Sequence, residues 1–394
     1  MPDIQFKGVP AQEAIDNIRR KVRVPTERWD QMLGEAHAKA FTVAGAIKAD
    51  LLKDLHKDVT QAIENGESIG QFRKRFAETV HQHGWSYKGD PGWRTRVIYD
   101  TNMRTAHMAG RWKQIEQNKT QRPYLIYMTV RDERVRETHR SWHRLALKVD
   151  DPFWSTHYPP NGWGCRCYVI SATEKQIEKM GIEVASNPGI QKTERINTKT
   201  GEVYGDVPVG IDTGWDYNVG KAWLGPDAAF GEKLMQLPAS LRTPASADIF
   251  NATVNQTKSW QSWLTQIAAA PKANGYSHTA GFLQTDVISA LAKTNIVPKN
   301  AAIIAPAEQL TDLIDKDWIQ LLPNRLANYK AALLHKPTQR LVFVLPDNIE
   351  KTNRAIAEVE ISANGQNANT VKVLKTESIK TLRQNDYELI AGEL

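Results

Sequence analysis

The chain reads as an α+β multidomain protein. It has an N-terminal helical arm, a central α+β module, an extended connector, and C-terminal helices plus a small antiparallel sheet. Three observations predict this. Apolar residues step at three- and four-residue intervals through the first hundred positions, the mark of amphipathic helices. Residues 186–250 are rich in Gly, Pro, Asn and Asp, with little apolar periodicity. Beyond them, helical patterns alternate with short apolar and β-branched runs. At 394 residues the chain exceeds the ~250–300 at which single cores stop growing. The expected segments are 1–90, 91–185, 186–250 and 251–394.

Composition narrows the class. Hydrophobic residues at 41% and charged residues at 24% suit a globular chain rather than a disordered one. No run of eighteen apolar residues occurs, so no membrane-spanning helix is expected. The N-terminus lacks a secretory pattern, and two cysteines spaced Cys-x-Cys fit a reducing compartment better than a disulfide framework. A soluble protein made in the cytoplasm is the expectation. The formal charge of +7 is unevenly placed: residues 91–150 hold 13 Lys/Arg against 6 Asp/Glu, while 281–394 hold 13 of each. Attraction to a polyanion such as DNA would therefore come from the centre.

Pro10 and Pro25 are placed to open helices, where a missing N–H costs nothing. From Pro25 to Asn65 no proline intervenes. Met32, Leu33, Ala36, Ala40, Val43, Ala44, Ile47, Leu51, Leu55, Val59 and Ile63 keep helical steps. They predict one long helix ending at Asn65-Gly66, which either docks partner subunits or covers its own domain. Further helices are expected from Ile69 to His81 and from about Arg94 to Asn118. On the latter, Val97, Met103, Ala106 and Ile115 form the buried side. Asp100, Arg104, His107 and Arg111 share a polar face that suits either a bound anion or a ladder of surface ion pairs.

Tyr124–Val130 is a strand candidate, and Ser171-Ala-Thr-Glu174 has capping-box spacing for a helix stopping at Gly181. Asn197–Gly201 suggests a hairpin turn in the connector, and Trp215 and Trp223 suggest that the connector packs along a surface. In the last third, helices are expected near 258–270, 281–294, 306–316 and 323–335. Strands are expected at 301–305, 340–345, 355–361 and 371–374, with a turn between 361 and 370.

The chemistry concentrates in residues 123–168. Asp132 with Arg131, Arg134 and Arg136 can cross-link a corner through charge-assisted hydrogen bonds. Phe153, Trp154, Tyr158 and Trp163 give the following proline-rich loop rigid anchors. Cys165 and Cys167 flank Arg166, with His139, His143 and His157 upstream. Thiolate and imidazole suit zinc, although Cys-x-Cys is tighter than the usual spacer and no second cysteine pair exists. Buried structural thiols are the other reading. A thiol–imidazole pair at His139 lacks a third orienting group. The chain contains no P-loop, dinucleotide fingerprint or nucleophile elbow.

One ordered series of segments carries a family resemblance. It runs through Tyr99-Asp-Thr-Asn-Met-Arg-Thr-Ala-His107, Ala109-Gly-Arg-Trp112, Asp132-Glu-Arg-Val-Arg136 with His139, and Asp151-Pro-Phe-Trp154. It continues through His157-Tyr-Pro-Pro-Asn-Gly-Trp-Gly-Cys-Arg-Cys167 to Pro208-Val-Gly-Ile-Asp-Thr-Gly-Trp-Asp-Tyr-Asn218. Spanning roughly residues 10 to 235, it resembles the Mu F-like (MuF) head morphogenesis, or minor capsid, family of tailed bacteriophages. The resemblance implies a low-copy, portal-associated virion protein, present in the host cytoplasm during assembly. Portal, scaffold and capsid proteins would be its partners, and DNA contact would run through the basic centre. Relatives carry cysteines where this chain has Val135 and Thr138, which leaves His139, Cys165 and Cys167 as the zinc candidates. Asp132, Arg134, Arg136 and Arg166 complete the structural motif.

More faintly, the C-terminal unit resembles the barnase–EndoU–colicin–RelE-like nuclease domains of phages. That would imply a metal-independent ribonuclease using His335, Arg325 and Arg340, with Lys316 and Tyr329 as further candidates. Where relatives supply a histidine and an arginine, this chain reads Leu310-Thr-Asp-Leu-Ile-Asp-Lys316, and the segment's zero net charge suits RNA poorly. The expectation is a head protein that works by binding rather than turnover. The alternative is a phage-delivered nuclease effector.

Overall fold

The computed structural model describes residues 11–394 other than 199, 270–275, 311, 349–351 and 363–367. Contacts divide the chain into two compact units at Leu224 and Gly225. Pro10 lies outside the described residues. No helix among the described residues is long and apolar enough to cross a membrane.

In the first unit, α1 (Gln12–Arg20) buries Ala14, Ile15 and Ile18. The single long helix expected from Pro25 does not form. Instead β1 (Val22–Arg23), a 3-10 turn at Trp29–Met32, α2 (Glu35–Lys39) and β2 (Ala40–Phe41) precede α3 (Ala49–Glu64). Gly34 and Gly45 take φ of +63° and +85°. Such left-handed values interrupt a right-handed helix and come at little cost to glycine. β2 then pairs in parallel with β1, Val22 opposite Ala40 and Arg23 opposite Phe41. The rest of the pattern holds, because α3 buries Leu51, Leu55, Val59 and Ile63 and ends at Asn65. α4 (Ile69–Gln82) starts at Ser68, whose hydroxyl accepts from the Gln71 amide.

α5 (Pro91–Asn118) is the spine of the unit. Its first half gives Ile98, Met103 and Ala106 to a core with Phe41, Leu52, Phe72 and Phe76. Its second half gives Met108, Ala109, Trp112 and Ile115 to another core with Tyr127, Phe153, Trp154 and Tyr158. Around that second core lie β3 (Tyr124–Met128), α6 (Glu137–Ser141), β4 (Ala146–Lys148), α7 (Phe153–Thr156) and β5 (Tyr168–Ala172). The strands form one antiparallel sheet in the order β4-β3-β5. α8 (Glu174–Lys179) is capped by Thr173 with Gln176, not by Ser171, which belongs to β5.

The expected hairpin is β6 (Lys192–Ile196) with β7 (Val203–Pro208). α9 (Val219–Leu224) follows, where an extended connector was expected. It lies so close to α5 that a Cβ on Gly220 would sit 2.0 Å from the Trp112 Cβ. Only glycine permits that approach.

The second unit is helical from the outset, with α10 (Ala228–Gln236), α11 (Ala239–Asn251) and α12 (Thr253–Ala269). This is a second departure from the extended connector. Then come β8 (Ser277–Phe282), α13 (Thr285–Lys293), β9 (Ala302–Pro306), α14 (Asp317–Gln320) and α15 (Leu322–Ala327). β10 (Ala331–His335), β11 (Arg340–Asn348), β12 (Asn353–Glu360), β13 (Asn369–Ser378), α16 (Ile379–Leu382) and β14 (Tyr387–Gly392) complete the unit. Among the described residues the sheet has seven strands in the order β14-β10-β11-β12-β13-β9-β8, and of these only β9 and β13 pair in parallel.

Two helix expectations fail here. The one at 306–316 is a 3-10 turn at Ala307–Gln309 followed by loop, with Thr311 outside the described residues. The one at 323–335 stops at Ala327, and Ala331–His335 is a strand. Ala332 and Leu334 face one core while Ala331 and Leu333 face another. A strand buried on both faces is a continuous apolar run that periodicity cannot tell from a helix. Within the expected 361–370 turn, residues 363–367 lie outside the described residues.

Candidate metal centre

Two elements bring the soft donors together. α6 presents His139, and the loop entering β5 presents Cys165 and Cys167. His139 Nδ1 lies 3.7 Å from Cys165 Sγ and 3.6 Å from Cys167 Sγ. All three donor atoms fall within 4.8 Å of one another. The residues are 2%, 7% and 7% exposed, so the cluster is buried. His139 Nε2 is 2.8 Å from the Gly210 carbonyl. A carbonyl only accepts, so Nε2 carries the proton and Nδ1 turns its lone pair to the sulfurs. Trp142 stacks on the imidazole at 5.2 Å and fixes its plane.

The two sulfurs share one proton deficit. Hydrogen bonding with Cys167 holds the Cys165 thiol well below its ordinary value in spite of burial, and the same pairing pushes Cys167 up.

Around the cluster runs a set of charge-assisted clasps. The corner expected of Asp132 with Arg131, Arg134 and Arg136 is built differently. Asp132 takes two parallel hydrogen bonds from Arg166, at 2.5 and 2.6 Å, and weaker support from Arg134 at 3.4 Å. These donors hold its carboxyl down to about 2. Arg136 reaches Asp212 at 2.8 Å, and the same Asp212 oxygen accepts from the Trp163 amide at 2.8 Å. Arg131 turns to His143. A Cβ on Gly162 would meet Arg136 Nη1 and Asp212 Oδ2 at 2.3 Å each, which is why a glycine stands in this loop.

Two arginines of the polar stripe of α5 reach across to the segment that holds the cysteines and β5. Arg104 donates to the Cys165 carbonyl at 2.8 Å and to Asp100 at 3.1 Å, and Arg111 donates to the Val169 carbonyl at 2.8 Å. Arg122, one turn beyond the helix, bonds the Ser171 hydroxyl and carbonyl. Since β5 is an edge strand, Arg111 and Arg122 satisfy carbonyls that a neighbouring strand would otherwise take. His107 stays at the surface.

In the second unit His335 and Arg340 stand opposite each other across β10 and β11. His335 bonds Thr338 at 2.7 Å and packs against Tyr387, and Arg340 faces Glu358 at 3.7 Å. His335 thus ends a strand, not a helix. Alternation places this pair on the sheet face opposite Leu334 and Leu341, whereas α15, which carries Arg325, packs on the Leu334 side. Lys316 precedes α14, and Tyr329 donates to Asp286 at 2.6 Å. These candidates do not converge on one site.

Sequence reasoning missed Gly210 and Asp212 as supports, although the segment holding them had been singled out. It also missed an apolar cavity of about 360 Å³ lined by Trp29, Trp93, Trp163 and Trp215. Four tryptophans spread over nearly two hundred positions leave no local signal.

Comparison with known proteins follows the same segments. Residues 53–170 match the family model described as phage Mu protein F like protein. A protein F of Escherichia phage Mu, named for capsid assembly, is 29% identical over 392 residues, covering 91% of this chain and 89% of its own. The Mu-like prophage FluMu F protein of Haemophilus influenzae is 32% identical over 305 residues, covering 71% and 73%. No solved structure matches. A relative of that identity and coverage places the chain in the phage Mu F-like family.

Proposed function

We propose that this chain acts in bacteriophage head morphogenesis as a minor head protein, working by binding rather than by turnover. The single observation that carries this is the near full-length similarity to the phage Mu protein named for capsid assembly. The first unit supports it physically. His139, Cys165, Cys167, the Asp132–Arg166 pair and the Arg136–Asp212 pair hold one shape, and a preorganised surface loses less freedom on docking. Its partners in this reading are head proteins at the portal, and the chain stays in the finished virion. Arg104, Arg111 and Arg122 are committed to backbone carbonyls, which favours protein over DNA as the partner.

The test is a phage carrying a deletion of this gene, complemented in trans. Without the protein, sedimentation and electron microscopy should show few filled heads. Mass spectrometry of purified wild-type heads should find the chain at low copy. Normal heads from the deletion, or absence of the chain from both procapsids and heads, would refute the proposal.

A further inference from the structure

We propose that His139, Cys165 and Cys167 bind one zinc ion that locks the centre of the first unit. This site stands independently of the head-assembly reading.

The separations between the donors match those that an ion would set. With Zn–S near ~2.3 Å and Zn–N near ~2.0–2.1 Å, tetrahedral angles give an N···S edge of about 3.6 Å. The two observed N···S separations are 3.7 and 3.6 Å. Nitrogen and two sulfurs form the donor set that zinc prefers over harder cations.

The surroundings are also those of a ligand set. A metal-binding imidazole needs its other nitrogen anchored, and the Gly210 carbonyl anchors Nε2 at 2.8 Å. Trp142 stacks on the ring, so the lone pair is aimed without further ordering. Two thiolates buried this deeply would be costly anions unless compensated, and one divalent cation compensates both. The protein supplies three donors, which leaves the fourth tetrahedral position to solvent. Through His139 and its carbonyl partner, the ion would join α6, the loop before β5 and the turn after β7.

The experiment uses the full chain, purified without a metal-affinity step and under reducing conditions. Elemental analysis should find one zinc per chain. Cobalt(II) substitution should give sulfur-to-metal charge-transfer absorption. Competition with a chromophoric chelator should show at least tenfold weaker binding in Cys165→Ser, Cys167→Ser and His139→Asn, and unchanged binding in His81→Ala, an exposed control. Should the three variants fail to fold, the wild-type stoichiometry and cobalt spectrum still decide. Folded, reduced wild-type protein with under a tenth of a zinc per chain, and none taken up on addition, would overturn the proposal. So would zinc retained by all three variants, or a Cys165–Cys167 disulfide in the metal-free native chain.

Discussion

Asp132 and Arg166, thirty-four positions apart, meet through two parallel hydrogen bonds of 2.5 and 2.6 Å. The pair is fork to fork, a geometry that lysine cannot reproduce. Arg166→Lys should therefore lower the melting temperature nearly as much as Arg166→Ala. In both variants the Asp132 carboxyl should rise from about 2 toward the ordinary value. The sign follows from the depressed carboxyl: its contribution is present above pH ~4 and lost as pH falls toward 2. Carboxyl NMR titration checks the shift, and an unchanged Asp132 in Arg166→Ala would contradict it.

His157 is buried against Phe153, with ring centroids 4.2 Å apart, and burial lowers its value to about 4. Such an imidazole is neutral when folded. Its contribution is full above the unfolded value near 6.5 and falls as the solution is acidified toward 4. The loss across that window is on the order of 3 kcal/mol. His157→Phe keeps the stacking and removes the titration, so its denaturation midpoint should change less between pH 6.5 and 4 than the wild type's. Parallel pH profiles would argue against this assignment.

Two glycine-to-alanine changes in helices should act with opposite sign. At Gly220 the new Cβ would collide with Trp112 at 2.0 Å, and overpacking of this kind costs about 1–3 kcal/mol. At Gly70 the nearest atom is the Ser68 hydroxyl at 3.7 Å, so alanine should be neutral or stabilise by about 0.5–1 kcal/mol. Chemical denaturation of the two variants side by side measures both.

Arg111→Ala should strip the Val169 carbonyl of its donor. The expected loss is about 1–2 kcal/mol, with faster amide hydrogen exchange concentrated in Tyr168–Ala172. Exchange that rises evenly over the whole unit would point to general destabilisation instead.

How much of this was legible follows the range of each interaction. The helices at 49–64, 69–82 and 91–118 are encoded by neighbours three and four apart, and the sequence displays them plainly. The break at Gly34 and Gly45 was not, because the apolar stepping continues through both glycines while the backbone turns left-handed. His139, Cys165 and Cys167 could be named from chemistry alone. Their support by Gly210 could not, since a backbone carbonyl has no signature in composition. Likewise the arginine stripe on α5 was visible as a face. Its targets, the carbonyls of Cys165 and Val169, are long-range and silent.

The supports at Gly210, Asp212 and Gly220 also dictate an order of events at the ribosome. Synthesis proceeds at ~5–20 residues/s, so a nascent chain that has reached residue 185 must wait seconds for these groups. Until they emerge, Arg136 lacks its carboxylate, His139 lacks its anchor and Trp112 lacks the cover of α9. The first unit is therefore finished from its own C-terminal end, and a fragment stopped short of Leu224 should be cleaved by protease faster than one that includes it.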